Sequence, residues 1–379
     1  MRGEPLMMLH CAPPYRYDHP NAALGYLKGF LEPLGIPVKN VYWNLILYKE
    51  IMNWEERMAS SHPVFLKLDA FYTTATYVSK YLLTKSRGFT KTPFDTFFSS
   101  FLTEEEISGL IASVKNKIDW YIKENNLHKV EYAGFTFKTQ QWLMNSYIVS
   151  RLKEINPDIA VIIGGITNQD QAKRFMRVFP QADFAIWGEG EYPLFHLVEA
   201  LKEGEDLKKV PQLVYRDPDN VSTYQSQEHV TLDEYPFADH SDYFPTLRQF
   251  VPENITVFIP IWGSRSCPWN KCKFCVDNED YQYRTRSPEN IVEEIRFQSE
   301  KYNIDTFAFV DSELPGNKNR FKTLLRHLIQ LSAERNEPYQ FFGEISPIFL
   351  NPETVISLRL ATFLGIQIGF EAVTDTLLE

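Results

Sequence analysis

"ITVFIPIWGSRSCPWNKCKFC", residues 255–275, runs from an apolar, β-branched stretch into a loop that holds three of the chain's four cysteines. Residues 255–262 read as a strand, and the loop follows its carboxyl end. In a βα barrel that end of the strands carries the active site. The spacing is C-x4-C-x2-C, with Cys267, Cys272 and Cys275. Thiolates are soft ligands that select zinc, copper(I) or iron–sulfur, and structural zinc wants a closed set of four ligands. The loop offers three and no histidine, and Cys11 lies far away in sequence. An iron–sulfur cubane on three cysteines keeps one iron open, which suits catalysis better than structure. A zinc knuckle completed by a distant residue, or simply buried thiols, remain alternative readings of these residues.

Downstream, alternation continues. Ser287 and Pro288 have the N-cap and N1 chemistry of a helix start, opening "ENIVEEIRFQSEKY". "IDTFAFVD", "PYQFFGEI" and "GIQIGFE" read as strands, separated by the helices "NRFKTLLRHLIQLSAER" and "NPETVISLRLATF". Four βα units, the last incomplete, fall short of an eight-stranded barrel. The expectation for 255–379 is a partial TIM-like (β/α) barrel, truncated at its C-terminus.

Upstream, residues 1–205 read as an α/β, doubly wound (Rossmann-like) domain. Its five strands lie in "LMMLHC", "IPVKNVYW", "VEYAGFTF", "PDIAVIIGG" and "ADFAIWGEGE". A helical insertion at about 51–127 includes "TEEE", where Thr103 and Glu106 have capping-box spacing. Ligands of such sheets sit beyond the carboxyl ends of the strands, so the loops to watch are 12–20, 136–140, 164–168 and 188–191. There Gly164, Gly165, Gly188 and Gly190 would let the backbone approach a ring or nucleotide tail, and Thr136, Thr139 and Gln140 would line the same face. Glycine turns also end many strands for steric reasons alone. Residues 206–254 read as a connector, with a hairpin at "VPQLVYRDPDN".

Composition narrows the classes. With 39 basic against 49 acidic residues the net charge is −10, which argues against a protein gripping nucleic-acid phosphates non-specifically. No apolar run reaches the length of a membrane span, and "MRGEPLMMLHCAPP" has too short an apolar core for a secretory signal. Few cysteines, clustered, point to metal or redox chemistry in a cytoplasmic protein rather than to disulfides.

"RSCPWNKCKFC" resembles the signature loop of radical S-adenosylmethionine (SAM) enzymes, with Phe274 just before the last cysteine. Their usual spacing is C-x3-C-x2-C; this loop has one residue more. "YRTRSPENIVEEI", "FVDSEL" with Asp311, "FFGEI" with Glu344 and "IQIGFEAVTDTLL" with Glu371 resemble, in order, the segment after the loop and the next three strands. The first domain with "GEGEYPLFHLVEAL" resembles the cobalamin-binding domain of one large branch. The connector "LDEYPFADHSDYF" and "YRTRSPENIVEEI" look most like members that C-methylate ribosomally made peptides. The resemblance implies a 4Fe–4S cluster on Cys267, Cys272 and Cys275, with SAM chelating the open iron. An electron from the cluster would cleave a sulfur–carbon bond and yield a 5′-deoxyadenosyl radical. It places Phe274 near the adenine, Asp311 at the barrel mouth, and Glu344 and Glu371 on the ribose hydroxyls or the methionine ammonium. It implies cobalamin in the first domain, a peptide or small-molecule substrate, and an electron donor such as a flavodoxin or ferredoxin. Ring rearrangement or thioether formation is the competing chemistry, and a non-catalytic metal-binding protein built on the three cysteines the competing class. Cobalamin domains often supply a histidine from a D-x-H-x-x-G loop. Asp18 and His19 are adjacent here, so no histidine is expected below the cobalt, and Asp18 is expected to be badly placed to hold the ring.

Overall fold

The computed structural model describes residues 5–53, 67–86, 99, 102–138, 140–217, 219–224, 231–252, 254–272, 275 and 282–369. The chain forms two compact units, each assembled from separate pieces of sequence. The first takes Met1–Tyr17, Ala23–Gln227 and Ala238–Asn254; the second takes Asp18–Ala22, Glu228–Phe237 and Ile255–Glu379.

The first unit is built on a seven-stranded sheet. Its strands are β1 (Met7–Cys11), β2 (Val38–Tyr42), β3 (Tyr132–Thr136), β4 (Ala160–Ile166), β5 (Phe184–Trp187), β6 (Leu213–Asp217) and β7 (Asp219–Ser222), in the order β2-β1-β3-β4-β5-β6-β7. The first five strands run parallel. Every residue of β1, "MMLHC", is buried, as a central parallel strand covered on both faces requires. The expected hairpin at 213–222 forms, but it pairs antiparallel with β5 and extends this sheet. The sheet is therefore mixed at that edge. "ADHSDYF", read as aperiodic connector, leads into a helix, Tyr243–Phe250. That helix is anchored by the buried ammonium of Lys28, 2.5 Å from Asp242, which also accepts the Asn40 N–H at 2.9 Å. Glu32 lies 3.7 Å from the same ammonium, so the buried charge of Lys28 is shared between two carboxylates. Tyr42, Trp43, Tyr48, Phe71 and Tyr243 fill the core. The capping box at Thr103 forms as expected: its N–H donates to Glu106 and its hydroxyl accepts the Glu106 N–H.

The second unit carries four parallel strands, β8 (Ile259–Ile261), β11 (Thr306–Phe309), β12 (Gln340–Glu344) and β13 (Phe363–Gln367), side by side in chain order. Between β8 and β11 lies a two-residue ribbon, β9 (Ser264–Arg265) against β10 (Arg284–Thr285). Ser287 caps the helix Pro288–Tyr302 by accepting the Asn290 N–H. Asn317 and Asn351 cap the helices Lys318–Ala333 and Pro352–Leu360 in the same way. The strands alternate with these helices, as the apolar spacing foretold.

Candidate functional site

The ribbon closes the mouth of the cysteine loop. Arg265 faces Arg284 and Ser264 faces Thr285, so residues 266–283 leave and return at one point. Ser266 has φ 66° and Asn270 φ 45°; the chain bends through left-handed backbone on entry and again inside the loop. Cys267, Cys272 and Cys275 are half-buried thiols outside any disulfide, and the Cys275 N–H donates to the Cys272 carbonyl at 3.1 Å. Among the described residues no three His, Cys, Asp or Glu side chains lie close enough together to hold a metal ion. The structure thus gathers the cysteines on one loop whose two ends are paired in the ribbon. Three thiols with no disulfide partner suit a cluster by donor chemistry, and convergence on binding is the usual coupling of metal to local folding.

Beneath the loop sits a set of buried charges. Asp311, just past β11, accepts the Gly263 N–H at 2.9 Å and the Ser264 hydroxyl at 2.5 Å. Burial pushes its carboxyl up to about 6, against the pull of those two donors, Arg320 and Arg286. Both oxygens are thus engaged within the chain. That differs from the expected cofactor contact at the mouth, because the end of β8 supplies donors that a buried carboxylate needs. Glu344, at the end of β12, is half-buried and accepts from the Gln367 amide at 3.4 Å. Beside it lies a residue the sequence reading passed over. Glu313 accepts the Ser346 N–H with both oxygens at 3.2 Å. Burial, then the neighbouring charges of Glu344 and Asp311, push it up to about 7. The spacing "DSE" after an apolar strand was the signal available for it. Phe274 and Glu371 lie outside the described residues, as does Thr139 in the first unit.

In the first unit the parallel strands follow the order 2-1-3-4-5, and the crevice of such sheets opens where the order reverses, between β1 and β3. Gln141 ties the two sides of that point together, its amide donating to the Ala12 carbonyl at 3.1 Å and to the Cys11 sulfur at 3.4 Å. Asn145, fully buried, donates to the Thr136 carbonyl at 2.6 Å. The side-chain oxygens of Gln140 and Asn145 are buried without a donor, an arrangement that suits a ligand bearing amide N–H groups. Gly164 and Gly165 form an irregularity in the β4–β5 register. Gly165 has φ 70°, and a Cβ there would lie 2.9 Å from the Thr136 hydroxyl, whereas a Cβ on Gly164 would meet nothing within 4 Å. One glycine is required by backbone geometry; the other leaves a flat approach. Gly188, with φ 75°, donates its N–H to Ile166, and Gly190 precedes the helix Glu191–Glu203 as its cap.

The two histidines nearest in sequence to the end of β1 are His10 and His19. His10 is fully buried in β1, stacked on Phe135, and its Nδ1 accepts from the Trp43 indole at 2.9 Å. Burial lowers it to about 3, so the ring is neutral. His19 belongs to the second unit, stacked on Phe258. Its Nδ1 lies 3.0 Å from an Asp18 oxygen but without hydrogen-bond geometry, in keeping with an adjacent aspartate being badly placed to hold the ring.

No family model matches the chain. It is 24% identical over 314 residues to an anaerobic magnesium-protoporphyrin IX monomethyl ester cyclase of Rubrivivax gelatinosus, covering 80% of this chain and 52% of that protein. It is 28% identical over 194 residues to an uncharacterised methyltransferase of Pyrococcus horikoshii, covering 50% and 41%. The chain thus spans about half, or less, of the curated relatives it matches. Among solved structures, the radical SAM methyltransferase TsrM from Kitasatospora setae, with tryptophan substrate and a SAM analogue bound, superposes with TM-score 0.60. The identity is 16%, over 98% of this chain and 60% of that one. TsrM is also known with cobalamin and a [4Fe–4S] cluster bound. OxsB, a cobalamin-dependent SAM radical enzyme, gives TM-score 0.62 at 16% identity, over 98% and 44%. At such identities the likeness establishes the fold, an α/β fold with parallel-sheet cores shared with cobalamin-dependent radical SAM enzymes.

Proposed function

We propose that the chain acts as a cobalamin-dependent radical SAM enzyme that methylates an unactivated carbon of a peptide or natural product. The observation that carries this reading is the cysteine loop: three thiols outside any disulfide at the carboxyl end of the first strand of a parallel sheet, with Glu313 and Glu344 at the ends of the next two. When bound, the cluster supplies an electron, SAM a radical, and cobalamin a methyl carrier. Cys267, Cys272 and Cys275 would hold the cluster, and Glu344 and Glu313 would accept from the methionine ammonium. The strand ends of the first unit would take the corrin, with Gly164 giving it room and Thr136, Gln140 and Asn145 facing its amides. Of the loops 12–20, 136–140, 164–168 and 188–191, the first carries a histidine, His19, which belongs to the second unit, and the other three carry none; this supports a cobalt without a histidine beneath it. The electron would come from a flavodoxin- or ferredoxin-like donor, in the cytoplasm.

Anaerobic reconstitution tests the reading. Expected are about four irons per chain, as a 4Fe–4S cluster requires, cleavage of SAM, and methyl transfer that depends on added cobalamin. A chain that takes up zinc but no iron–sulfur cluster, or that does not cleave SAM, overturns it. The cobalt(II) form should show no nitrogen superhyperfine splitting; splitting that vanishes in His19→Ala would place a histidine on cobalt. A second reading, closure of a ring at the activated carbon, is favoured by the cyclase relative aligned over 80% of the chain. The product, methylated or cyclised, distinguishes the two.

A further inference from the structure

Resting on the cluster reading, we propose that Asp311 and Arg320 are positioning residues that set the entry of the chain into Cys267 by gripping the backbone on either side of the Gly263 Cα. Asp311 takes the Gly263 N–H and the Ser264 hydroxyl. Arg320 donates to the Gly263 carbonyl at 2.6 Å, with its other nitrogens on the carbonyls of Arg286 and Leu314. The Arg286 N–H reaches the same Gly263 carbonyl at 2.9 Å. The Arg286 side chain donates to the Trp262 carbonyl at 2.9 Å and is neutralised by the buried Glu294. Three successive residues, 262–264, are therefore held by charged side chains from β10's flank, from the end of β11 and from the helix Lys318–Ala333. Gly263 is tightly enclosed: a Cβ would lie 3.0 Å from the Asp311 carboxylate and 3.2 Å from the Arg320 guanidinium, so one of them would have to give way. Two residues beyond the grip comes the left-handed turn at Ser266, then Cys267.

This grip matters because all three thiols lie on one loop, Cys267 three residues past Ser264. A loop that must close on its metal needs at least one ligand whose position is already fixed; otherwise the closure entropy of the whole loop falls on metal binding. Hydrogen bonds to charged groups are the stronger kind, and buried ones hold their geometry. The net charge of Asp311, Glu294, Arg286 and Arg320 is zero, so the grip orients the loop without adding a charge beneath it. Outer-shell groups of this kind typically change metal affinity by about 10–100-fold when removed.

The test uses the full chain. Asp311→Ala, Asp311→Asn, Ser264→Ala and Arg320→Met are reconstituted beside wild type and challenged with a chelator. Leu328→Ala, in the buried core of the second unit, serves as a control of comparable destabilisation. The reads are iron per chain, the paramagnetic resonance of the reduced cluster, and hydrogen exchange of the Gly263 amide in metal-free protein. Expected are a loss of iron retention of about 10–100-fold in Asp311→Ala and Arg320→Met, a smaller loss in Asp311→Asn and Ser264→Ala, an altered resonance, and faster Gly263 exchange. Leu328→Ala should lose stability while keeping iron and spectrum. If Asp311→Ala does not fold, Asp311→Asn and Ser264→Ala still decide. Wild-type retention and an unchanged spectrum in these variants, or an equal loss in Leu328→Ala, overturns the proposal while leaving the cluster in place. If wild type takes up no more iron than Cys272→Ala, the cluster reading falls and this proposal falls with it.

Discussion

At the carboxyl end of β8, Gly263 has its N–H on a carboxylate and its carbonyl on a guanidinium; at the carboxyl end of β4, Gly164 looks onto open space and Gly165 packs against Thr136 and Lys138. Both are strand ends of parallel sheets that terminate in glycine, yet the chemistry around them is opposite. Charged partners suit a site where a small, changing charge must be held in register, since hydrogen bonds to ions contribute about 1.5–3 kcal/mol against about 0.5–1.5 for neutral ones. Neutral amides with spare acceptors suit a wide, weakly charged ligand recognised by shape and many modest contacts.

The contrast is broken most directly at the thiols. Alanine at Cys267, Cys272 or Cys275 should abolish cluster assembly, measured as iron and sulfide per chain, while Cys11→Ala, whose buried sulfur accepts from Gln141 in the first unit, should assemble normally. Full iron retention in Cys272→Ala would remove the metal from the second unit altogether. Next in size is the charged side of the comparison. Glu294 is fully buried against Arg286, so Glu294→Ala should cost about 3–5 kcal/mol. A calorimetric scan should place that loss in the second unit alone; a loss shared by both transitions would mean that the units do not melt separately.

The open side gives a smaller, paired effect. Gly165→Ala should destabilise by about 1–2 kcal/mol, the penalty of a left-handed backbone with a Cβ. Gly164→Ala should change stability by less than about 0.5 kcal/mol, yet weaken cobalamin binding in a spectral titration. Unchanged binding in Gly164→Ala would move the corrin off β4. The finest test is pH. Asp311 and Glu313 rise to about 6 and about 7 in the folded chain, from ordinary values of 3.8 and 4.5. The unfolded chain therefore gives up these protons first, and the second unit should lose stability as pH climbs from the ordinary carboxylate range to about 7, then level off. Glu313→Gln should flatten the upper part of that fall in urea titrations at successive pH values; an unaltered slope would take Glu313 out of its half-buried acidic setting.

What the sequence made legible was local. The cap residues Thr103 and Ser287 sit where their side chains reach the N–H three positions on, so spacing alone places them. The strands of both units follow from apolar runs, and the cysteine loop from its own residues. What escaped was pairing across distance. The hairpin 213–222 was visible, but its partner β5 is fixed by tertiary packing, so its place in the first sheet was not. Asp311 read as a mouth residue because a strand-end aspartate looks alike whether it faces a ligand or a buried amide. Arg320 carried no sequence signal; an arginine in the first turn of a helix is ordinary until its three carbonyl partners are seen.

One backbone hydrogen bond reaches into the order in which the chain is made. The Phe258 N–H donates to the Asp18 carbonyl, and residues 18–22 belong to the second unit although they precede nearly all of the first. Asp18 emerges about 240 residues before its partner, so at about 5–20 residues per second it waits roughly 10–50 s for a mate. During that interval the ribosome has delivered the whole seven-stranded sheet. The second unit cannot be finished as an independent C-terminal bead; its completion is a late event that reaches back to the first minute of the chain's life.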